Sequence, residues 1–555
     1  MQAFRVRAVT AAVAAAVVLV TAGCAESERD KDGGAGSGDT LVFGVAADPK
    51  VLDPSLAKDG ETLRVARQMF ETLVRPVPGG TQVEAGLAET FKPSPDGKVW
   101  TFGLRPGVTF HDGTALDGAA ICANFDRWFN ATGVMQSPDV TGYWQDVFGG
   151  FAKNESAELP PSLYKSCTAP DAKTAVITLT RPSSKIPSAL GLPSFSIHSP
   201  AAMEKYGAQA SGSTDSVQYP EYAKAHPTGT GPYKFVSWDL AAKRVTFERF
   251  DGYWGEKAKI KKLVFAAIPE ESARKQALRS GDIQGYDSVA PADLKPLADE
   301  GFHVLSRPAF NILYLGIDQA ANPKLKDLRV RQAIAYALNR QALVDSKLPP
   351  GAEVATQFIP PTLEGWNPDV KKYAYDVNKA KALLKEAGAE NLTLKYYYPT
   401  EVNRPYMPST KDLFEIEKAD LEAAGIKIQP VPLKWTPDYL AAIRTTSKHD
   451  LHMLGWTGDY GDAYNFIGTF FDRPRKDFGF TDQALFDLFT KADSEPDATK
   501  RTALYQQLNA KIMETLPAIP ISHTPSALVL AKNVTGIKPN PLSSELRLFT
   551  AEFTG

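Results

Sequence analysis

Cysteine and histidine are scarce in this chain, with three and seven among 555 residues. The histidines are scattered. Only His449 and His452 lie close together, and in a strand beginning near Asp450 a separation of three sends them to opposite faces. No metal site is therefore expected. No His-Glu-x-x-His, Gly-x-Ser-x-Gly or Walker loop is present, so the common hydrolase and nucleotide-binding signatures are missing and neither an enzyme nor a cofactor is expected. Neither basic nor acidic residues predominate. Sixty-two basic residues face 64 acidic ones, which leaves no basic footprint for nucleic acid. After residue 24 no apolar run reaches the about 20 residues that span a bilayer.

The apolar run that is present lies at the start. Arg5 and Arg7 precede the uncharged stretch Ala8 to Val20, and Thr21, Ala22, Gly23 and Cys24 follow. A basic start, a short apolar core and small residues form the pattern of a secretory signal peptide over 1–23. The end of this pattern resembles a bacterial lipobox, with Thr21 where leucine is usual. The resemblance makes Cys24 the acylated residue that anchors the chain to the membrane. Residues 24–39 are charged and glycine-rich, and read as a flexible tether. The rest is then extracytoplasmic. There the remaining cysteines, Cys122 and Cys167, are expected to form a structural disulfide rather than stay free thiols.

More than 500 residues exceed the usual range for one core, so two or more domains are expected. Leu41 to Val45, Val99 to Leu104 and Ala175 to Leu179 read as strands. Glu61 to Leu73 has helical spacing, and Asp117 is a fitting N-cap for a helix bearing Ile121, Phe125, Trp128 and Phe129. Further on, Asp327 and Asp376 precede helices, the second stopped by Gly388. Leu392 to Tyr396, a helix through Leu413 to Ala424 that Gly425 ends, and Ile426 to Val431 complete an α/β rhythm that predicts a largely parallel sheet. The 41 glycines and 41 prolines match many turns and long loops.

Several stretches together resemble the family-5 extracellular solute-binding proteins of peptide and nickel ABC importers. They are Leu52-Asp-Pro54 with Phe70 to Val74; Gly86 to Glu89 with Leu104 to Thr114; Gly229 to Val236 with Asp251 to Gly255 and Ala277 to Ile283; Val330 to Leu338; and Ala380 to Gly388. Most have plain structural readings. Gly229-Thr-Gly-Pro is a turn that needs permissive dihedrals, and His111-Asp-Gly is a turn rather than a metal site.

The resemblance implies an α/β fold of the two-lobed, periplasmic-binding-protein type (class II, the large peptide-binding form) with the ligand in a cleft between the lobes. By that resemblance, residues 40–307 and 517–555 form the first lobe, with an inserted subdomain near 82–205. Residues 308–516 form the second. The hinge candidates are Val304 to Phe310 and Pro517 to His523.

The same resemblance supplies the candidate site. Gly455 to Asp462 is similar to the segment that holds a peptide's ammonium, which places that role on Asp459, with Asp462 as the second choice. Asn403 to Pro408 is similar to the segment that places an arginine on the ligand carboxylate, here Arg404. Trp456, Tyr406 and Tyr460 are candidate pocket walls. A dipeptide is a zwitterion whose charges lie about two residue lengths apart, each roughly 3.3–3.6 Å. A dry cleft must meet both charges, since an unpaired buried ion is costly. An acid and an arginine fork are the natural partners. The implied role is capture of short peptides by a monomeric protein and their delivery to ABC permease subunits and their ATPases. Nickel chelates, opines, oligosaccharides and a peptide-sensing role remain the alternatives.

Overall fold

The computed structural model describes residues 39–554. The expected signal peptide, Cys24 and the tether up to residue 38 lie outside them. The first strand, Thr40–Val45, shows how the first lobe is layered. Leu41, Phe43 and Val45 enter one core while Val42 packs on the other side. Such a strand is buried on both faces and so reads as a continuous apolar run. It lies fourth in a seven-stranded sheet, in parallel register with Lys262–Ala267 and Gly285–Asp287.

The helix after it is shorter than its spacing predicts. It covers Gly60–Ala66 instead of reaching Leu73. Beyond Ala66 the carbonyls of Gln68 and Met69 accept from Tyr233 and Gly231 at 3.1 and 3.0 Å. A β-carbon on Gly229 would lie 2.1 Å from the Met69 carbonyl oxygen. A long-range backbone contact thus takes the groups that helical hydrogen bonds would have used.

An inserted layer is built on the antiparallel strands Ala88–Pro93, Val99–Leu104, Thr174–Leu179 and Tyr164–Asp171. Helix Gly118–Phe129 covers it, capped by the Asp117 carboxylate, which accepts from Ala120 N–H at 2.8 Å. Ile121, Phe125 and Trp128 of that helix are buried against the sheet. A disulfide joins Cys122 on the helix to Cys167 on the edge strand, with Cα atoms 5.1 Å apart.

The second lobe holds a six-stranded sheet in the order Glu353–Val354, Ala518–His523, Asn311–Ile317, Leu451–Thr457, Thr393–Thr400 and Lys427–Lys434. Asp327 and Asp376 cap helices Leu328–Ala337 and Val377–Glu386 through their side chains. Pro430 and Pro432 sit in Lys427–Lys434, an edge strand, where a missing donor is tolerated. The sheet is mixed rather than largely parallel. Asn311–Ile317, on which the chain enters the lobe, runs antiparallel to both its neighbours, one of which, Ala518–His523, carries the chain out again.

The chain passes between the two sheets through two short segments, 308–310 and 524–525. One links His303–Arg307 to Asn311–Ile317, the other Ala518–His523 to Ser526–Leu530. Ala518–His523 pairs with Asn311–Ile317 and so belongs to the second sheet, whereas a first-lobe return from 517 was expected. The buried Asn311 side chain locks the crossings together, donating to Thr524 O at 2.7 Å and accepting from Thr524 N–H at 3.0 Å. Beside it, Arg64 and Arg307 both pair with buried Asp287. Burial pushes that carboxyl's pKa up, but the two guanidiniums win and hold it below the usual value.

Two consequences can be measured. The disulfide closes 45 residues of chain, and the loop-entropy relation gives a bridge of that span about 4 kcal/mol. Replacing Cys122 and Cys167 by serine should lower the denaturation midpoint in urea and steepen the slope, because the unbridged unfolded chain exposes more surface. Glu417 is the second case. It is buried on the helix Thr410–Ala423 and takes a hydrogen bond from Tyr396. Burial raises its pKa from 4.5 to about 8. Its folded value lies above the unfolded one, so the stability it contributes is complete below about 4.5 and is lost as pH rises through about 8. Glu417→Gln should flatten the fall in melting temperature across that window.

Candidate ligand-binding cleft

The strand Leu451–Thr457 ends in a loop that runs into helix Tyr464–Phe471. Gly458 begins this loop, and its N–H donates to Phe310 O at 2.9 Å. A β-carbon there would lie 2.2 Å from the Phe310 ring, so only glycine lets the loop lie this close to the crossing. Next comes Asp459, whose N–H donates to Asn465 Oδ1 at 2.7 Å. The same oxygen accepts from Trp456 Nε1 at 3.3 Å. One asparagine thus fixes both the acid and the neighbouring indole.

The Asp459 carboxylate accepts a hydrogen bond from Tyr143 Oη at 3.0 Å. Tyr143 belongs to helix Pro138–Phe148 of the inserted layer, so this bond crosses between the lobes. Burial raises Asp459 from 3.8 to about 6, against the opposing pull of Tyr143 and Lys58. The Lys58 ammonium is itself paired with Asp146 at 2.7 Å. Among the described residues no basic side chain forms an ion pair with Asp459. An arriving cation would favour its charged form.

Arg404 lies in the loop between Thr393–Thr400 and Thr410–Ala423. Its N–H donates to Met407 O at 3.2 Å, and Met407 N–H returns a bond at 2.9 Å. Two residues on, the buried Tyr406 ring fills the space beside Gly455, 2.3 Å from where a β-carbon would stand. The arginine loop is thereby pressed onto the strand that leads into Asp459. The Arg404 side chain is exposed and unpaired with any acid among the described residues.

The other sequence candidates separate into different roles. Trp456 is half-buried beside the acid. Tyr460 crosses over instead and is buried in the core of the inserted layer. Asp462 turns to the following helix, accepting from Tyr464 N–H at 2.7 Å and Tyr505 Oη at 3.3 Å. His449 and His452 do not face apart. Both are fully buried with ring centroids 4.9 Å apart, because His449 precedes the strand and escapes its alternation. Among the described residues no group of three or more metal-ligating side chains forms a metal site.

Tyr143, Asn465 and a second set of contacts between the lobes were not foreseen. The buried Asp493 carboxylate accepts from Arg181 and Ser183, each at 2.7 Å, and Ser184 N–H donates to its carbonyl at 2.7 Å. Lys185 sits 4.5 Å from the Tyr464 ring. Asn465 was within reach of a sequence reading, six residues past Asp459 at a helix start. Tyr143 was not, lying 316 positions away.

Two α/β lobes joined by paired crossings, with an unneutralised acid and arginine on one lobe and a lid of contacts from the other, define a two-lobed solute-binding protein. The chain matches the family described as bacterial extracellular solute-binding proteins, family 5 Middle, over residues 82–478, and it belongs to that family, whose members are binding proteins rather than enzymes. It is 32% identical over 519 residues to the dipeptide-binding protein of Escherichia coli K12, covering 91% of this chain and 92% of that one. It is 28% identical over 549 residues to heme-binding protein A of Haemophilus influenzae, covering 95% and 96%. Among solved structures, the ABC transporter-associated periplasmic binding protein DppA from Helicobacter pylori, in complex with the peptide STSA, matches with a TM-score of 0.73. That match has 26% identity and covers 93% of this chain and 98% of that one.

The acid's burial has a testable cost. Its folded pKa of about 6 lies above the ordinary 3.8, so the stability it contributes is present below about 4 and lost as pH rises through 6. Ligand-free Asp459→Asn should therefore be more stable than the parent at pH 7.5, by about 1–2 kcal/mol allowing for partial exposure. Thermal melts should show the gap closing as pH falls through 6.

Proposed function

We propose that this protein captures short peptides with free termini and delivers them to an ABC permease, held at the outer face of the membrane through an acylated Cys24. The observation that supports the ligand is the half-buried Asp459 carboxylate, which has a neutral hydroxyl donor from the opposite lobe and, among the described residues, no ion-pair partner. Arg404 is its complement, a guanidinium without an acid on a loop packed against the same strand. An acid and an arginine that form no ion pair among the described residues suit a small zwitterion. The peptide-binding names of the Escherichia coli relative and the Helicobacter structure agree with this reading. Lobe closure would enclose the ligand, with the two crossings absorbing the motion.

Calorimetric titration of residues 39–555 tests it with a free dipeptide, its N-acetyl form, its C-terminal amide, longer peptides and heme. Blocking the N-terminus should weaken binding about 30-fold or more, since leaving a buried charge unpaired costs about 2 kcal/mol or more, and blocking the C-terminus, which would face the exposed Arg404, should weaken it by less. Affinity for the free dipeptide should also fall as pH drops through 6, up to tenfold per unit, as Asp459 takes up its proton. Equal affinity for blocked and free forms would overturn the two-charge reading.

A further inference from the structure

Trp435 has no place in the site so far, yet it is the side chain that holds Arg404. The strands Thr393–Thr400 and Lys427–Lys434 run parallel and in register to their last residues, with Pro399 opposite Leu433 and Thr400 opposite Lys434. Whatever follows each strand therefore emerges side by side. One strand is followed by the loop that carries Arg404, the other by the turn Trp435–Tyr439. A Lys434–Glu401 ion pair at 3.1 Å joins the two exits. It also occupies Glu401, the acid nearest Arg404 in sequence.

The Arg404 guanidinium lies 5.2 Å from the Trp435 ring centroid, within the range of a cation–π contact. The indole has an aromatic neighbour. Its ring centroid lies 6.0 Å from that of Tyr439, at 21° between planes. Tyr439 is fully buried, and its hydroxyl donates to Met453 O at 2.5 Å, with Tyr397 O farther off at 3.3 Å. Met453 stands on the strand that ends beside Asp459. Arg404 is thus linked through two rings to the strand bearing the acid. A guanidinium placed against an aromatic face keeps its N–H edge free for a carboxylate, and it has fewer orientations to lose on binding.

We propose that Trp435 is a positioning residue, presenting the edge of Arg404 to the carboxylate of the bound peptide at a fixed place relative to Asp459. This inference rests on the two-charge reading of the cleft, and the experiment separates the two. Affinities for a free dipeptide and for its C-terminal amide are measured by titration for the parent, Trp435→Ala, Trp435→Phe, Arg404→Ala and the Arg404→Ala/Trp435→Ala double variant. Melting curves confirm that each variant is folded.

Trp435→Ala should weaken the free dipeptide about three- to tenfold and leave the amide unchanged. Trp435→Phe, which keeps an aromatic face, should restore most of the loss. In the Arg404→Ala background the second substitution should have no further effect. Equal losses for acid and amide, or an undiminished loss without Arg404, would make Trp435 a wall of the pocket and overturn the inference while leaving Arg404 in its role. If Arg404→Ala binds the free dipeptide as the parent does, the two-charge reading falls, and this inference with it.

Discussion

The second lobe hangs from the first by two adjacent crossings, and the Asn311 side chain makes them one unit. Asn311 gives and takes a hydrogen bond with the backbone of Thr524, satisfying groups that would be costly to leave unpaired in a buried place. His523 meets the Asn311 carbonyl on the same side, at 2.6 Å. The Arg64–Asp287–Arg307 cluster fixes the first-lobe end. The site depends on this junction directly. Phe310, in the first crossing, accepts from Gly458, and Asp459 is the next residue.

The cleft itself keeps an acid in surroundings that penalise its charge. Desolvation raises Asp459 while a neutral phenol steadies it. Such an arrangement discriminates by charge, because only a cation relieves the penalty fully. Arg404 is built the opposite way, exposed and lying against an aromatic ring. On the two-charge reading, the ends of a bound zwitterion would meet different environments, one half-buried and held by Tyr143 and Asn465, the other exposed and held against Trp435.

Local chemistry was legible in the sequence and long-range chemistry was not. Asp117, Asp327 and Asp376 cap helices where expected, because a cap needs only its own next few residues. The helix from Gly60 stopped early because residues 229–233, far along the chain, took its carbonyls. The alternation rule failed for His449 because it holds only inside a strand. Resemblance supplied Asp459 and Arg404, whose segments have recognisable neighbours. Tyr143 and Asp493 act by meeting partners from another lobe, and nothing adjacent to them in sequence records that.

Tyr460 follows the acid in the chain, and its ring is embedded in the core of the inserted layer. The acid and the ring that enters the opposite lobe are therefore adjacent residues of one loop. Separating the lobes means withdrawing an aromatic ring from apolar surroundings into water. Burial of that ring therefore favours the state in which the lobes are together, whatever lies between them.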